Sequence, residues 1–271
     1  MVFANEKEKN VFLNTLNKKG FILEDRSFRV ISQSPYVELN SMRRNHAVDF
    51  ERERVEFDIL VESGGDKHFI IECKRTDYTW IFMKDKDRND VLNIIYDSKK
   101  GIRVNSHTTG NFKSSYSYDI AIGLKEDGTL RRSDGELAQT SYKDVRDNVR
   151  QVLKQVGVYI NTPLYDKKIT PSDLIIPVVI TNSPIYYLEY DVEDIKEDGD
   201  LKHYREIKDV GMVAYNFPEV IKWGSSRIFN DKDIGNNGDN LKTVFIVNIH
   251  KIKEFFKLMD LYPASTFTRN L

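Results

Sequence analysis

Two carboxylates and a lysine stand at a spacing that suits phosphodiester chemistry: Asp58, thirteen intervening residues, then Glu72-Cys73-Lys74. In an extended strand, residues i and i+2 point to the same face, so Glu72 and Lys74 project together and Cys73 turns to the other side as a packing residue. Two carboxylates brought within a few ångströms repel each other. They are tolerated when a cation sits between them or when one takes up a proton. A hard divalent ion with oxygen ligands, Mg²⁺ or Mn²⁺, is the expected occupant. Such an ion binds a phosphate oxygen and acidifies a water, while a neighbouring lysine orients that water or steadies the charge building at phosphorus.

Glu-x-Lys alone carries little weight in a chain that is 31% charged, and it recurs as Glu206-Ile207-Lys208. Context separates the two copies. Glu72 closes the apolar run Phe69-Ile70-Ile71 and follows an acid on the preceding strand, whereas Glu206 lies in a polar stretch read as loop.

The elements that must position these residues follow from periodicity. Arg54 to Glu62 alternates with the period of a strand, placing Val55, Phe57, Ile59 and Val61 on one side and Asp58 on the other. His68 to Lys74 is a second strand, and Ser63-Gly64-Gly65-Asp66 between them has hairpin chemistry. A three-residue loop, Gly64-Gly65-Asp66, sets Asp58 opposite Glu72. A two-residue loop would throw them to opposite faces, since register and facing are locked together. The three-residue loop is the expectation, with glycine in the left-handed position it needs.

Residues Asn5 to Lys19 read as an opening helix stopped by Gly20. From Asp77 to Gly110 the chain reads as a polar insertion with short helices, and Ser117 to Leu124 as a strand. Ser141 to Tyr159 is an amphipathic helix: Val145, Val149, Val152, Leu153, Val156 and Ile160 recur at steps of three and four while Arg146, Arg150 and Lys154 face elsewhere. Strands follow at Leu174 to Thr181 and Ile185 to Tyr190, then a loop over Asp191 to Leu241, a strand at Thr243 to Ile249 and a helix at Lys251 to Leu261. This order predicts one α/β domain over 1–271, with insertions at about 77–115 and 191–241.

The acid-bearing hairpin resembles the core of the PD-(D/E)xK nuclease superfamily, also called restriction-endonuclease-like: an acid on one strand, here Asp58, then Glu-x-Lys on the next, here Glu72 and Lys74. The resemblance lies mainly in residues 1 to 75 and hardly touches the last 80. It departs from many members in having Phe57, not proline, before the first acid. It implies a mixed central β-sheet flanked by helices, a Mg²⁺-dependent DNA endonuclease of restriction, defence or repair type, and metal ligands Asp58 and Glu72. A further ligand would come from an acid in the first helix, Glu8 with Glu6 as the other candidate. Some members carry Gln-x-x-x-Tyr on a later helix, and Gln155 with Tyr159 matches that spacing, which makes Gln155 a candidate site residue. Restriction-type cleavage of a symmetric sequence would call for a homodimer.

Composition sets the outer bounds. Forty-one basic residues against forty-two acidic ones leave a net charge of −1, so contact with DNA must come from local patches. Arg43, Arg44 and His46, or Lys99, Lys100 and Arg103, read as solubilising charge, and Trp80 and Phe82 as packing against the sheet. The histidines at 107, 203 and 250 lack zinc spacing. Apolar runs are too short for a bilayer, Met1 to Asn10 has no secretory pattern, and the single cysteine excludes an internal disulfide. These features point to a cytoplasmic protein with no membrane partner. The rival readings are a catalytically idle nucleic-acid-binding or interaction module on the same scaffold, and a ribonuclease or structure-specific resolvase.

Overall fold

The computed structural model describes residues 5–8, 10–11, 13, 21–50, 52–64, 66–76, 79–98, 101–121, 135–162, 173–198, 201–202, 206–217 and 241–262. In chain order the main elements are α1 (Phe21–Ser32), β1 (Leu39–Phe50), β2 (Glu53–Ser63), β3 (Lys67–Lys74), β4 (Thr79–Asp85), β5 (Val91–Ser98), β6 (Gly101–Thr108), β7 (Ser114–Ser115) and β8 (Ser117–Ala121). They continue with α2 (Gly135–Asn161), β9 (Leu174–Thr181), β10 (Ile185–Tyr190), β11 (Glu206–Asp209), β12 (Met212–Phe217), β13 (Lys242–Asn248) and α3 (Ile252–Asp260).

β9 is buried at every position, as expected of a strand with both faces covered. It runs parallel to β3 on one side and to β13 on the other. Among the described residues the large sheet has nine strands. Its main path is β1-β2-β3-β9-β13-β12-β7, with the β5–β6 hairpin branching from β9, and a second sheet runs β11-β10-β4-β8. One face of the large sheet is covered by α1 and α3, which bury Leu23, Ile31, Ile252, Phe255 and Phe256 with Phe69, Ile71 and Val178. The opposite face packs against α2 and the smaller sheet: Val145, Val149, Val152 and Leu153 share a cluster with Ile70, Ile175, Val179, Trp80 and Phe82. The molecule is thus a mixed α/β layer structure.

The β1–β2 ribbon turns over beside the candidate site. Ile59 and Val61 lie in the cluster under α1 and α3, while Val55 and Phe57 lie in the cluster under α2. On β1 the same switch separates Met42 from Val48 and Phe50. Pairing runs Arg44↔Ile59 and His46↔Phe57, so the turnover falls at Asn45 and Asp58, and Asn45 has φ of 49°. A left-handed residue rotates the ribbon without breaking its register, and asparagine tolerates that conformation better than most. The sequence reading put Val55, Phe57, Ile59 and Val61 on one side. The structure splits them two and two.

Other expectations divide in the same concrete way. The loop between β2 and β3 is closed by the pair Ser63↔Lys67, leaving the three residues 64 to 66, and Gly64 has φ of 63°. The helix at 141–159, the strands at 174–181, 185–190 and 243–249, and the last helix stand as read, α2 beginning earlier, at Gly135. The stretch 77–110 is not an insertion with short helices: among its described residues it forms β4, β5 and β6. The loop expected over 191–241 contains β11 and the buried strand β12, so Glu206 and Lys208 stand on an edge strand paired with β10. Trp80 and Phe82 are fully buried, as packing residues should be. The expected helix at 5–19 falls mostly outside the described residues, as do Lys99, Lys100 and His203. Among the described residues, no helix is long and apolar enough to cross a membrane.

If the turnover depends on the left-handed residue, Asn45→Gly should leave stability nearly unchanged and Asn45→Val should cost about 1–2 kcal/mol. Urea unfolding of the two variants measures it, and equal stability would show that Asn45 does not set the turnover.

Candidate active site

Backbone pairing between β2 and β3 runs from Ser63↔Lys67 to Ile59↔Ile71. One step further the two strands are held by side chains. The backbone N–H of Cys73 donates to Asp58 Oδ2 at 2.7 Å. From α2, the Gln155 amide Nε2 donates to the Glu56 carbonyl on β2 at 2.9 Å and to Glu72 Oε2 on β3 at 2.8 Å. The hairpin forks at its open end, and an acid from each strand lies in the fork.

Gln155 reaches this place because the helix face carrying it is driven into the sheet by Val152, Leu153 and Val156, all fully buried. One turn later Tyr159 makes a second tie. Its hydroxyl lies 2.8 Å from His68 Nδ1 and donates to Glu62 Oε1 at 3.3 Å. Burial, and next the Glu62 charge, raise the Tyr159 pKa, so the phenol keeps its proton. His68 Nε2 faces Asp173 Oδ2 at 3.7 Å in the interior. His68 and Glu72 lie on one face of β3, four residues apart, and Gln155 and Tyr159, one helical turn apart, each reach one of them. The helix therefore fixes where Glu72 points.

The electrostatics are those of crowded acids. Glu72 is 6% exposed, and its pKa is raised to about 8, first by burial and next by the Asp58 charge, against lowering by the Gln155 amide and Lys74. Asp58 is raised to about 6, first by burial; the Cys73 N–H and Lys74 pull it down while Glu24 and Glu56 push it up. Lys74, on the Glu72 face of β3, is thus close enough for its charge to be felt by both acids. Cys73 turns to the α1 side, 5% exposed, and burial lifts its thiol well above the usual range, which makes it a packing residue and not a nucleophile.

The helical acid whose charge reaches Asp58 and Glu72 is Glu24 of α1. Its own carboxyl is raised by burial, against the pull of Arg44. Arg44 also donates to Asp25 at 2.6 Å and lies over the ring of Phe28. Glu8 is exposed, with its backbone N–H on Asn5 Oδ1. The signal for Glu24 was present in Leu23, Ser27 and Ile31, a buried stripe at four-residue steps. Serine hid it: Ser27 turns its hydroxyl back to the Leu23 carbonyl at 2.7 Å and so fits an apolar face.

The donor set can be tested against a divalent ion. Among the described residues no three His, Cys, Asp or Glu side chains form a group able to hold a metal. Mg²⁺ is commonly held by one or two carboxylates, with water and substrate phosphate completing its shell. Asp58 and Glu72 are two hard oxygen donors, mutually repelling and largely stripped of water, and the buried Gln155 Oε1 beside them has no hydrogen-bond partner among the described residues. That chemistry fits Mg²⁺ or Mn²⁺.

Comparison with protein-family models, with curated proteins and with solved structures finds no match for this chain.

Asp58 and Glu72 hold protons more tightly when folded than when unfolded, so the folded chain binds more protons between about pH 4 and pH 8. Their contribution to stability is full below the unfolded pKa values and is lost as pH rises through the folded ones. The Asp58→Asn, Glu72→Gln double variant keeps both hydrogen-bond acceptors and removes both titrations. In metal-free buffer its stability should gain on the parent by more than about 1 kcal/mol from pH 4 to pH 8. Parallel stability curves from chemical denaturation would contradict the crowding.

Proposed function

We propose that this chain is a Mg²⁺- or Mn²⁺-dependent nuclease that hydrolyses phosphodiester bonds of DNA, with a restriction-endonuclease-like arrangement of its core. The observation that carries the proposal is the convergence of Asp58, Glu72, Lys74 and Gln155 on one forked hairpin end. The fold reading rests on the order of parts: a helix bearing an acid, a hairpin bearing Asp58 and Glu72, a strand parallel to β3, and a helix supplying Gln155.

Asp58 and Glu72 are the residues that would hold the ion, with Glu24 close enough to influence them. The ion, when bound, supplies positive charge to a phosphate oxygen and makes a water more acidic. Lys74 brings a second positive charge to the same side, where it donates to the attacking water or to phosphate oxygens that gain charge in the transition state. Gln155 positions Glu72 by one N–H and β2 by the same amide, so its role is to keep the acid aimed. Asp58 anchors to the Cys73 N–H and cannot swing away without leaving a backbone donor without its partner.

Supercoiled plasmid and a short duplex incubated with Mg²⁺ test the reading. Cleavage by the parent chain should fall about 10²–10³-fold in Lys74→Ala and at least as far in Glu72→Ala. Equal cleavage by all three proteins would end the proposal.

A further inference from the structure

From the cleft that runs up to this fork we infer a binding track for one strand of nucleic acid, held by its phosphates along α2 and the start of β2. The inference rests on the nuclease reading for its direction but not for its test. The cleft holds about 470 Å³ between Arg54, Val55 and Glu56 on β2 and Asp147, Arg150, Gln151, Lys154 and Gln155 on α2. Its inner end is Gln155, the residue whose amide touches Glu72. A chain lying in the cleft is thereby led to Asp58, Glu72 and Lys74.

The charges have the arrangement a phosphate backbone asks for. Arg150 and Lys154 are one helical turn apart, and Arg146 continues the ridge one turn earlier, giving cations about 6 Å apart along the helix axis. Arg54 faces them across the cleft from β2. Each of the three cations lining the cleft stands near a carboxylate: Arg54 to Glu56 at 3.6 Å, Arg150 to Asp147 at 3.9 Å, and Lys154 with Glu53. These pairs are exposed on both sides, so each is worth little and can be exchanged for a phosphate. Among the described residues no aromatic side chain lines the cleft, so base stacking there supplies no affinity. Recognition is therefore of the backbone, indifferent to sequence and sensitive to salt. A volume of about 470 Å³ is that of a small-molecule pocket, too small to seat a duplex, and favours a single strand. Three cations, each set against one acid, meet a polyanion by exchanging exposed carboxylate partners for phosphates, so a local patch serves in a chain with a net charge of −1.

Fluorescence anisotropy with the full chain in EDTA tests the track, using labelled dT20, a mixed-sequence single strand and a 20-base-pair duplex. Arg150→Ala with Lys154→Ala removes two cleft charges and keeps the helix, since alanine is a strong helix former. Lys253→Ala with Lys257→Ala removes two charges from exposed positions on α3, which covers the other face of the sheet. The cleft variant should weaken both single strands alike, about tenfold at low salt, and reduce the slope of log K against log salt by about 1.4. The α3 variant should stay within about twofold of the parent. Equal losses in the two double variants, no loss in the cleft variant, or tighter binding of duplex than of single strand each overturn the inference. Cleavage that persists in Glu72→Ala sinks the nuclease reading and leaves this binding comparison to stand or fall by itself. Cleavage by the parent with an unchanged slope in the cleft variant sinks only the track.

Discussion

Where β2 and β3 part, polar backbone groups are left inside the protein, and a buried N–H or C=O must find a partner. The chain meets that demand with side chains. The Asp58 carboxylate accepts from Cys73, and the Gln155 amide donates to the Glu56 carbonyl. The same amide grips Glu72, so the groups that close the fork also bring two carboxylates into one confined space. Burial and mutual repulsion make both acids poor anions there. Natural chains tolerate such a cost mainly where the crowded groups act on something, a cation or a substrate.

The layers around the fork hold that crowding in place. The apolar stripe of α2 supplies the adhesion, and Gln155 and Tyr159 are polar positions embedded within it, matched to Glu72 and His68 on one face of β3. The left-handed Asn45 rotates the ribbon so that Val55 and Phe57 can pack under α2 while Ile59 and Val61 pack under α1. Asp58 stands at that crossover and can answer both Glu24 on one side and Glu72 on the other. On the first side Arg44, tied to Asp25, also tempers Glu24.

Much of the centre was legible because it is written in uninterrupted periodicity. The hairpin, the wholly apolar β9, and the helix carrying Gln155 repeat apolar residues at the period of their own structure. What escaped was apolar in position but polar in type. β5 and β12 bury Asn93 and Asn216, whose amides bond to each other at 2.9 Å and to Ser106 and Thr243 at 2.6 Å each. A satisfied polar network of this kind makes a core strand look like loop. Lys84 of β4 is buried against Asp90 at 2.8 Å, and disguises that segment in the same way. Glu24 was passed over because α1 hides its buried stripe behind a serine, and β1 because it is half exposed along most of its length. The resemblance of the hairpin to PD-(D/E)xK nucleases implies an acid on a helix at residues 5–19, Glu8 or Glu6, whereas among the described residues the helical acid whose charge reaches Asp58 and Glu72 is Glu24 of α1.

The central claim is that the repulsion between Asp58 and Glu72 exists to be relieved by a divalent cation. Crystals grown with Mn²⁺ and measured at its absorption edge give the most direct answer. The account predicts an anomalous peak within coordinating distance of both carboxylates, absent in the Asp58→Asn, Glu72→Gln variant. A peak elsewhere in the chain, or an empty fork at a Mn²⁺ concentration that saturates other carboxylate pairs, would contradict it.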